Sequence, residues 1–325
     1  MSKNLNASKK SWVEFMATDE ARIVLLFAVI AIEVIVFSAD GFFLTFDNVM
    51  AAFKAYIEIG IIALGMTFVL MTGGIDLSVG SLLVLVSITI GFSHRAGCPF
   101  VLSILLGILV GILGGAFNGL LVVYGELHPF IVTLGTFSLY RGLAYGITNA
   151  EGFADFPEWF GFFGNTNIGG VVPVQFVIYI LVAFLMWVLF RRMPFGTRIS
   201  GIGYNSTASE FSGVKINREK LKVYILNGLL VAVAAVIYTS RTNTARGNAG
   251  ENMEMYAITA VVLGGTYITG GHGTMFGTVL GTIILAFLKN GFSMIGIKND
   301  LALFATGFII LASMILNRFL GKDKR

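Results

Sequence analysis

Ten mostly apolar stretches, residues 23–39, 53–72, 79–92, 100–124, 130–148, 171–190, 223–240, 257–269, 274–292 and 301–317, recur along this chain and limit its fold more than any motif does. A hydrocarbon core about 30 Å thick takes a helix of roughly 20 apolar residues to cross, and most of the stretches approach that length. Only 12% of the residues are charged and 56% are hydrophobic. A soluble domain carries roughly 25% charged residues, so lipid must be the solvent for most of this surface. The expectation is an all-α integral membrane protein, with residues 1–325 forming one membrane domain. The stretches 79–92 and 257–269 are short and each adjoins a Gly-Gly pair. They read as broken or re-entrant helices, whose irregular backbone has to be buried in protein.

Lys and Arg in short loops mark the cytoplasmic side. They gather in three places: Lys3, Lys9, Lys10 and Arg22 in the tail 1–22; Arg191, Arg192, Arg198, Lys215, Arg218, Lys220 and Lys222 in the island 191–222; and Arg318, Lys322, Lys324 and Arg325 in the tail 318–325. The segments 38–52 and 149–170 contain only acidic charges, Asp40 and Asp47 in one and Glu151, Asp155 and Glu158 in the other, and read as external. About ten crossings, with both termini cytoplasmic, satisfy all of these assignments. The first apolar run follows about twenty polar residues and lacks a small-residue cleavage pattern, so it is expected to stay as an anchor. The net charge of +4 comes from the cytoplasmic clusters and suggests no nucleic-acid partner.

Forty glycines in an apolar chain let helix backbones approach, because helix association in lipid depends on close packing. Gly107, Gly111, Gly114, Gly115 and Gly119 fit such a face. In TGGIDLSVGS, residues 72–81, the pair Gly73-Gly74 ends one helix, and Asp76 and Ser78 stand where a cap would start the next. A carboxylate beside a break can line a pathway or serve only as a cap. GGTYITGGHG, residues 264–273, is a second break, and the two together hint at duplicated halves. His272 has no second ligand nearby in sequence, and Cys98 is the only cysteine, so neither metal binding nor a disulfide framework is indicated.

Ionisable residues inside spans cost several kcal/mol on insertion and are functional candidates by default. Lys54 and Glu58, four apart on one helix face, can neutralise each other. Glu126 and Lys289 lie near span ends and can snorkel. Glu33 and Arg141 have no evident partner. An ion-coupled carrier would usually hold a tighter acid cluster, and a membrane enzyme would need a nucleophile and base or a metal set. No Gly-x-x-x-x-Gly-Lys-[Ser/Thr] phosphate loop is present.

Four stretches carry a family resemblance: GMTFVLMTGGIDLSVGS at 65–81, HPFIVTLGTFSLYRGLA at 128–144, FGTRISGIGYNSTASEFSGV at 195–214 and AITAVVLGGTYITGGHGTMFGTVLGT at 257–282. With these in order, the chain resembles the permeases of sugar-importing ABC transporters of the ribose, xylose and arabinose family. The resemblance implies an architecture like that of the vitamin B12 importer, with two ten-helix permeases around one pathway. It also implies a short helix in the cytoplasmic loop that fits a cleft on the ATPase. Gly203, Asn205, Ala208, Ser212 and Gly213 match the family's loop pattern, while Ser209 replaces an Ala and Val214 an Ile; Glu210 lies within the same turn. Asn205 or Ser206 can cap that helix and Gly213 can end it. Gly73, Gly74, Asp76, Ser78, Phe130, Thr133 and Thr136 are the expected pathway residues. The implied partners are an ABC ATPase holding ATP and Mg, an extracytoplasmic solute-binding protein that docks on the outer surface, with 149–170 as candidate, a second permease copy or paralogue, and the lipid bilayer. The chain itself is expected to hold no cofactor and to sit in the bacterial cytoplasmic (inner) membrane as the permease subunit of an ATP-driven importer for a monosaccharide or similar small polar solute. An ion-coupled secondary transporter is the alternative.

Overall fold

The computed structural model describes residues 19–38, 41–148 and 151–297, with 301, 304, 307 and 308. The tails 1–18 and 309–325, and with them the expected cytoplasmic tail clusters and most of the span 301–317, lie outside the described residues. The chain runs through α1 (Asp19–Phe37), α2 (Phe46–Met71), α3 (Val79–Arg95), α4 (Phe100–Val123) and α5 (Pro129–Thr148). A 3-10 turn (Glu158–Gly161), α6 (Phe162–Asn165) and a small antiparallel pair, β1 (Asn167–Ile168) and β2 (Val172–Pro173), follow. Then come α7 (Val174–Arg191), α8 (Pro194–Tyr204), α9 (Ser206–Phe211), α10 (Ile216–Thr242), α11 (Met253–Leu263) and α12 (Met275–Met294). Five of these, α2, α4, α7, α10 and α12, are long and apolar enough to cross a membrane. The molecule is an all-α membrane protein.

Helix α2 is the hub, packed by α7, α10, α11 and α12, and every residue from Ile57 to Met71 is buried. A helix apolar on all sides belongs in the middle of a bundle. By contrast α4 is two-faced. Its Leu105, Leu109, Leu113 and Leu120 are about half exposed, as befits lipid-facing side chains, while Gly107, Gly111, Gly114, Gly115 and Gly119 are turned inward. Gly107 and Gly114 receive Ile90 and Leu82 of α3, and the rest of that inner face meets α10, backbone to backbone at Gly111 and Gly115. A Cβ on Gly111 would stand 2.8 Å from the carbonyl oxygen of Gly228 and 2.6 Å from the Ala232 Cβ, and one on Gly115 would strike the Tyr224 carbonyl. Helices in lipid lack a hydrophobic drive to associate, so this closeness supplies the dispersion contacts that hold them.

Hydroxyls join further pairs: Thr67 and Thr278 Oγ1 atoms lie 2.7 Å apart between α2 and α12, and Thr239 Oγ1 donates to Ser87 Oγ at 2.8 Å between α10 and α3. Beyond the last turn of α10, Phe153 and Ala245 exchange both backbone hydrogen bonds at 2.8 Å. Asn165 Nδ2 donates to the Ser240 carbonyl, and Ser240 Oγ donates to that of Phe160. The segment 151–173 is thereby fastened over the end of α10.

Three expectations about charged and basic residues are corrected. Glu58, fully buried, pairs with Arg241 of α10, whose Nε lies 2.7 Å from its Oε1, and not with Lys54. Lys289 does not snorkel; it is buried, donates to Tyr256 Oη at 2.6 Å and lies over that ring. The basic island is no plain loop with one helix, since α8 precedes α9 and α10 already begins at Ile216. The short helices expected at 79–92 and 257–269 are α3 and α11, of 17 and 11 residues. Glu33 is buried on α1, and its Oε2 has no hydrogen-bond partner among the described residues.

Candidate functional site

Pro194 opens α8 at a position where the missing N–H costs nothing. Arg198 and Lys222 both reach Glu219 Oε1, at 3.2 and 3.1 Å, and tie α8 to the first turn of α10. Asn205 then ends α8 and starts α9. Its extended backbone turns the chain, and its Oδ1 accepts from the Ala208 N–H at 2.9 Å, the N-cap bond expected for Asn. The Ser209 hydroxyl donates to the Asn205 carbonyl and that of Ser212 to the Ala208 carbonyl, both at 2.9 Å.

The far end closes equally tightly. Gly213 takes φ +83°, its N–H reaches the Glu210 carbonyl, and the Val214 N–H reaches that of Ser209 at 3.0 Å, which together form a Schellman stop. No residue of α9 is buried. Tyr204 and Phe211, on either side of this turn, are 81% and 88% exposed. Two bare aromatic rings on a polar, tightly capped helix pair suit a protein interface. Neither ring was expected from sequence; their place on either side of the polar stretch 205–210 was the signal available.

Gly203 does not belong to that outer face. It faces inward, against the Met71 carbonyl and the Gly271 N–H, with no room for a Cβ. Gly271 itself donates to the Met71 carbonyl at 3.0 Å, and a Cβ on Gly270 would stand 2.8 Å from the Gly73 nitrogen. The two helix breaks therefore touch, and the end of α8 rests on both. Gly73, Gly270 and Gly271 all have φ between +77° and +88°, a region open to glycine and strained for other residues.

Behind the first break lies a buried polar cluster. Asp76 Oδ1 accepts from the N–H and the hydroxyl of Ser78, at 2.9 and 2.7 Å, and Oδ2 accepts from Asn227 Nδ2 of α10 at 2.9 Å. Asn118 of α4 donates to Ser78 Oγ, and Tyr140 Oη of α5 reaches Asn118 Oδ1 and the Gly114 carbonyl. Thr133 Oγ1 is 3.2 Å from the Ile75 carbonyl, so α5 also touches the break. Gly73, Gly74, Asp76, Ser78 and Thr133 thus come together, with Thr136 one turn along α5. Asp76 and Ser78 are enclosed in packed protein, exposed by 1% and 0%. Phe130 stands apart on the outer side of α5, 43% exposed.

Arg141, unexplained by sequence, donates through Nη1 to the carbonyls of Gly247 and Ala249, at 2.8 and 2.6 Å. It holds the segment between α10 and α11. Among the described residues no three His, Cys, Asp or Glu gather as a metal site.

A bundle of apolar helices with two interlocked breaks, and a capped helix pair resting on them, defines a multi-pass membrane permease. The chain belongs to the family described as the permease component of branched-chain amino acid transport systems, which matches residues 48–314. It is similar to the ribose import permease protein of Bacillus subtilis, 44% identical over 261 residues that cover 80% of this chain and 81% of that one. It is also similar to the autoinducer 2 import system permease proteins of Klebsiella pneumoniae subsp. pneumoniae, 34% identical over 303 residues and 91% of each chain, and of Photorhabdus temperata, 33% identical over 297 residues and 89% of each. No solved structure matches the chain.

Proposed function

We propose that this chain is the membrane-spanning subunit of an ATP-driven bacterial importer for a monosaccharide or similar small polar solute. The observation that carries the reading is the contact of Gly203 and Tyr204 with Gly271 and the Met71 carbonyl, because it joins an exposed helix to both helix breaks through backbone alone. Backbone contacts leave no flexible side chain to absorb a displacement. An ATPase gripping α9 would move the end of α2 and the loop between α11 and α12 together, which is what alternating access through a bistable bundle requires.

The relatives named for ribose and autoinducer 2 import support a small solute, and the higher identity to the ribose permease favours a monosaccharide. In this reading the chain makes about ten crossings in an arrangement like that of the vitamin B12 importer, with α8 and α9 and both termini in the cytoplasm. ATP and Mg are held by a separate ATPase that grips Asn205, Ala208, Ser209, Glu210, Ser212, Gly213 and Val214. A solute-binding protein delivers cargo at the other face over 149–170. A second permease copy or paralogue completes the pathway, near which Gly73, Gly74, Asp76, Ser78, Thr133 and Thr136 set the position of the break.

The test is uptake of labelled sugars into vesicles holding the complete transporter. Uptake should require ATP, the ATPase and the binding protein together. Accumulation by the permease alone, driven by a proton or sodium gradient, would instead establish a secondary transporter.

A further inference from the structure

At the opposite end from α9, the chain between α10 and α11 is neither helix nor free loop. It is bracketed by Asn243 and Asn252, both left-handed at φ +48° and +62°, a conformation Asn accepts more readily than most residues. Between them burial alternates. Ala245, Gly247 and Ala249 are buried, while Arg246 and Asn248 are exposed and Thr244 half-exposed. The buried side is fixed by the paired backbone bonds of Ala245 with Phe153 and by the Arg141 guanidinium on the Gly247 and Ala249 carbonyls. The polar side lines a cavity of about 560 Å³ with Tyr145 and Phe153. Small-molecule sites span roughly 300–1,000 Å³ and combine aromatic walls with a few fixed polar groups.

The chemistry of the lining favours one class of ligand. Arg246 forms none of the ion pairs seen among the described residues, so its donors are open to a ligand. Asn248 and Thr244 offer both donors and acceptors. Tyr145, 40% exposed and with its ring beside Gly247, lines the cavity. The surrounding segments carry exposed Glu151, Asp155 and Glu251, which oppose an anion. Hydroxyl groups satisfy such a mixed set, and the C–H face of a sugar ring covers an aromatic one.

We propose that this cavity is a binding station for a neutral polyhydroxylated solute entering the permease, with Arg246, Asn248 and Thr244 as its hydrogen-bonding groups and Tyr145 as its stacking wall. The proposal rests on the importer reading. The segment's clamped backbone would keep these groups in place before solute arrives, which lowers the ordering cost of capture.

The test uses the complete transporter in vesicles, with radiolabelled ribose, xylose and arabinose as probes. Arg246→Ala and Asn248→Ala, at exposed positions that leave folding intact, should each lower initial uptake at sub-saturating sugar at least tenfold, with the amount of assembled complex unchanged. Uptake within twofold of wild type in both variants overturns the site and leaves the importer reading standing. Uptake of these sugars by the wild-type permease alone, without ATP or the ATPase, overturns that reading and the site with it, and failure of the wild-type complex to take up any of the three overturns the site. In an Asn248→Cys transporter an impermeant maleimide should label from outside, more slowly in saturating sugar; absent labelling, or a rate indifferent to sugar, overturns the proposal.

Discussion

Glu58, Arg141 and Lys289 are held by partners far along the chain. Glu58 and Arg241 are 183 positions apart, and the carboxylate has no exposure at all. Removing one member of a buried pair strands the other and typically costs about 3–5 kcal/mol, whereas replacing both by neutral groups of similar size is often tolerated. Arg241→Met should therefore lower the stability of the detergent-purified protein by that amount, and adding Glu58→Gln should restore most of it, as read from thermal unfolding. Sequence placed Glu58 opposite Lys54 because four-residue spacing reports only neighbours on one helix. A partner on another helix leaves no such periodic trace. The same limit hid the roles of Arg141 and Lys289, whereas Asp76 was legible in part: it was expected, with Ser78, to cap the next helix, and it does take the Ser78 N–H in the turn before α3, but α3 itself has no side-chain cap bond at Ser78.

At the scale of elements, glycine was the most readable residue. Five glycines along 107–119 read as a packing face; Gly111, Gly115 and Gly119 became the seam between α4 and α10, while Gly107 and Gly114 admit Ile90 and Leu82 of α3. Its partner on α10 was not foreseen, because Gly228 stands alone among larger residues. Gly228→Val would drive branched carbons into the Gly111 carbonyl and Gly115. Overpacking of this kind costs about 1–3 kcal/mol, so the variant should reach the membrane in reduced amount and unfold at lower temperature, while Val233→Ala, at a half-buried position, should have a smaller effect. Gly213 behaves differently. No atom lies within 4 Å of its would-be Cβ, so its constraint is the φ of +83° and not crowding. The cap and stop of α9 were legible because Asn and Gly act through their own backbone. Helix α8 was not foreseen although Phe195, Ile199 and Ile202 stand at helical spacing, because the segment is only 11 residues long and three of them, Gly196, Gly201 and Gly203, disfavour a helix.

Across the whole molecule the contacts sort into two ends. One holds Met71, Gly203, Gly271 and α9; the other holds the Phe153–Ala245 bridge and the 158–173 segment. In the orientation we propose, which follows the positive-inside rule, the first lies in the cytoplasm. Cysteines at Ser206 and Glu158 should accordingly react with impermeant reagents from opposite sides of the membrane, and labelling of both from one side would reject the ten-crossing arrangement.

The central claim is that α9 is the handle by which an ATPase moves the helix breaks. Phe211 is 88% exposed and Tyr204 81%, so truncating either removes no contact that the isolated permease needs. At an interface core, aromatic anchors typically contribute about 2 kcal/mol or more. Equilibrium binding of the purified ATPase to permease carrying Phe211→Ala, measured beside solute-stimulated ATP hydrolysis by the complete transporter, tests this directly. Association should weaken about thirtyfold and stimulation should fall in proportion, with permease folding unchanged. Wild-type association together with wild-type stimulation, in both Phe211→Ala and the double variant with Tyr204→Ala, would contradict it.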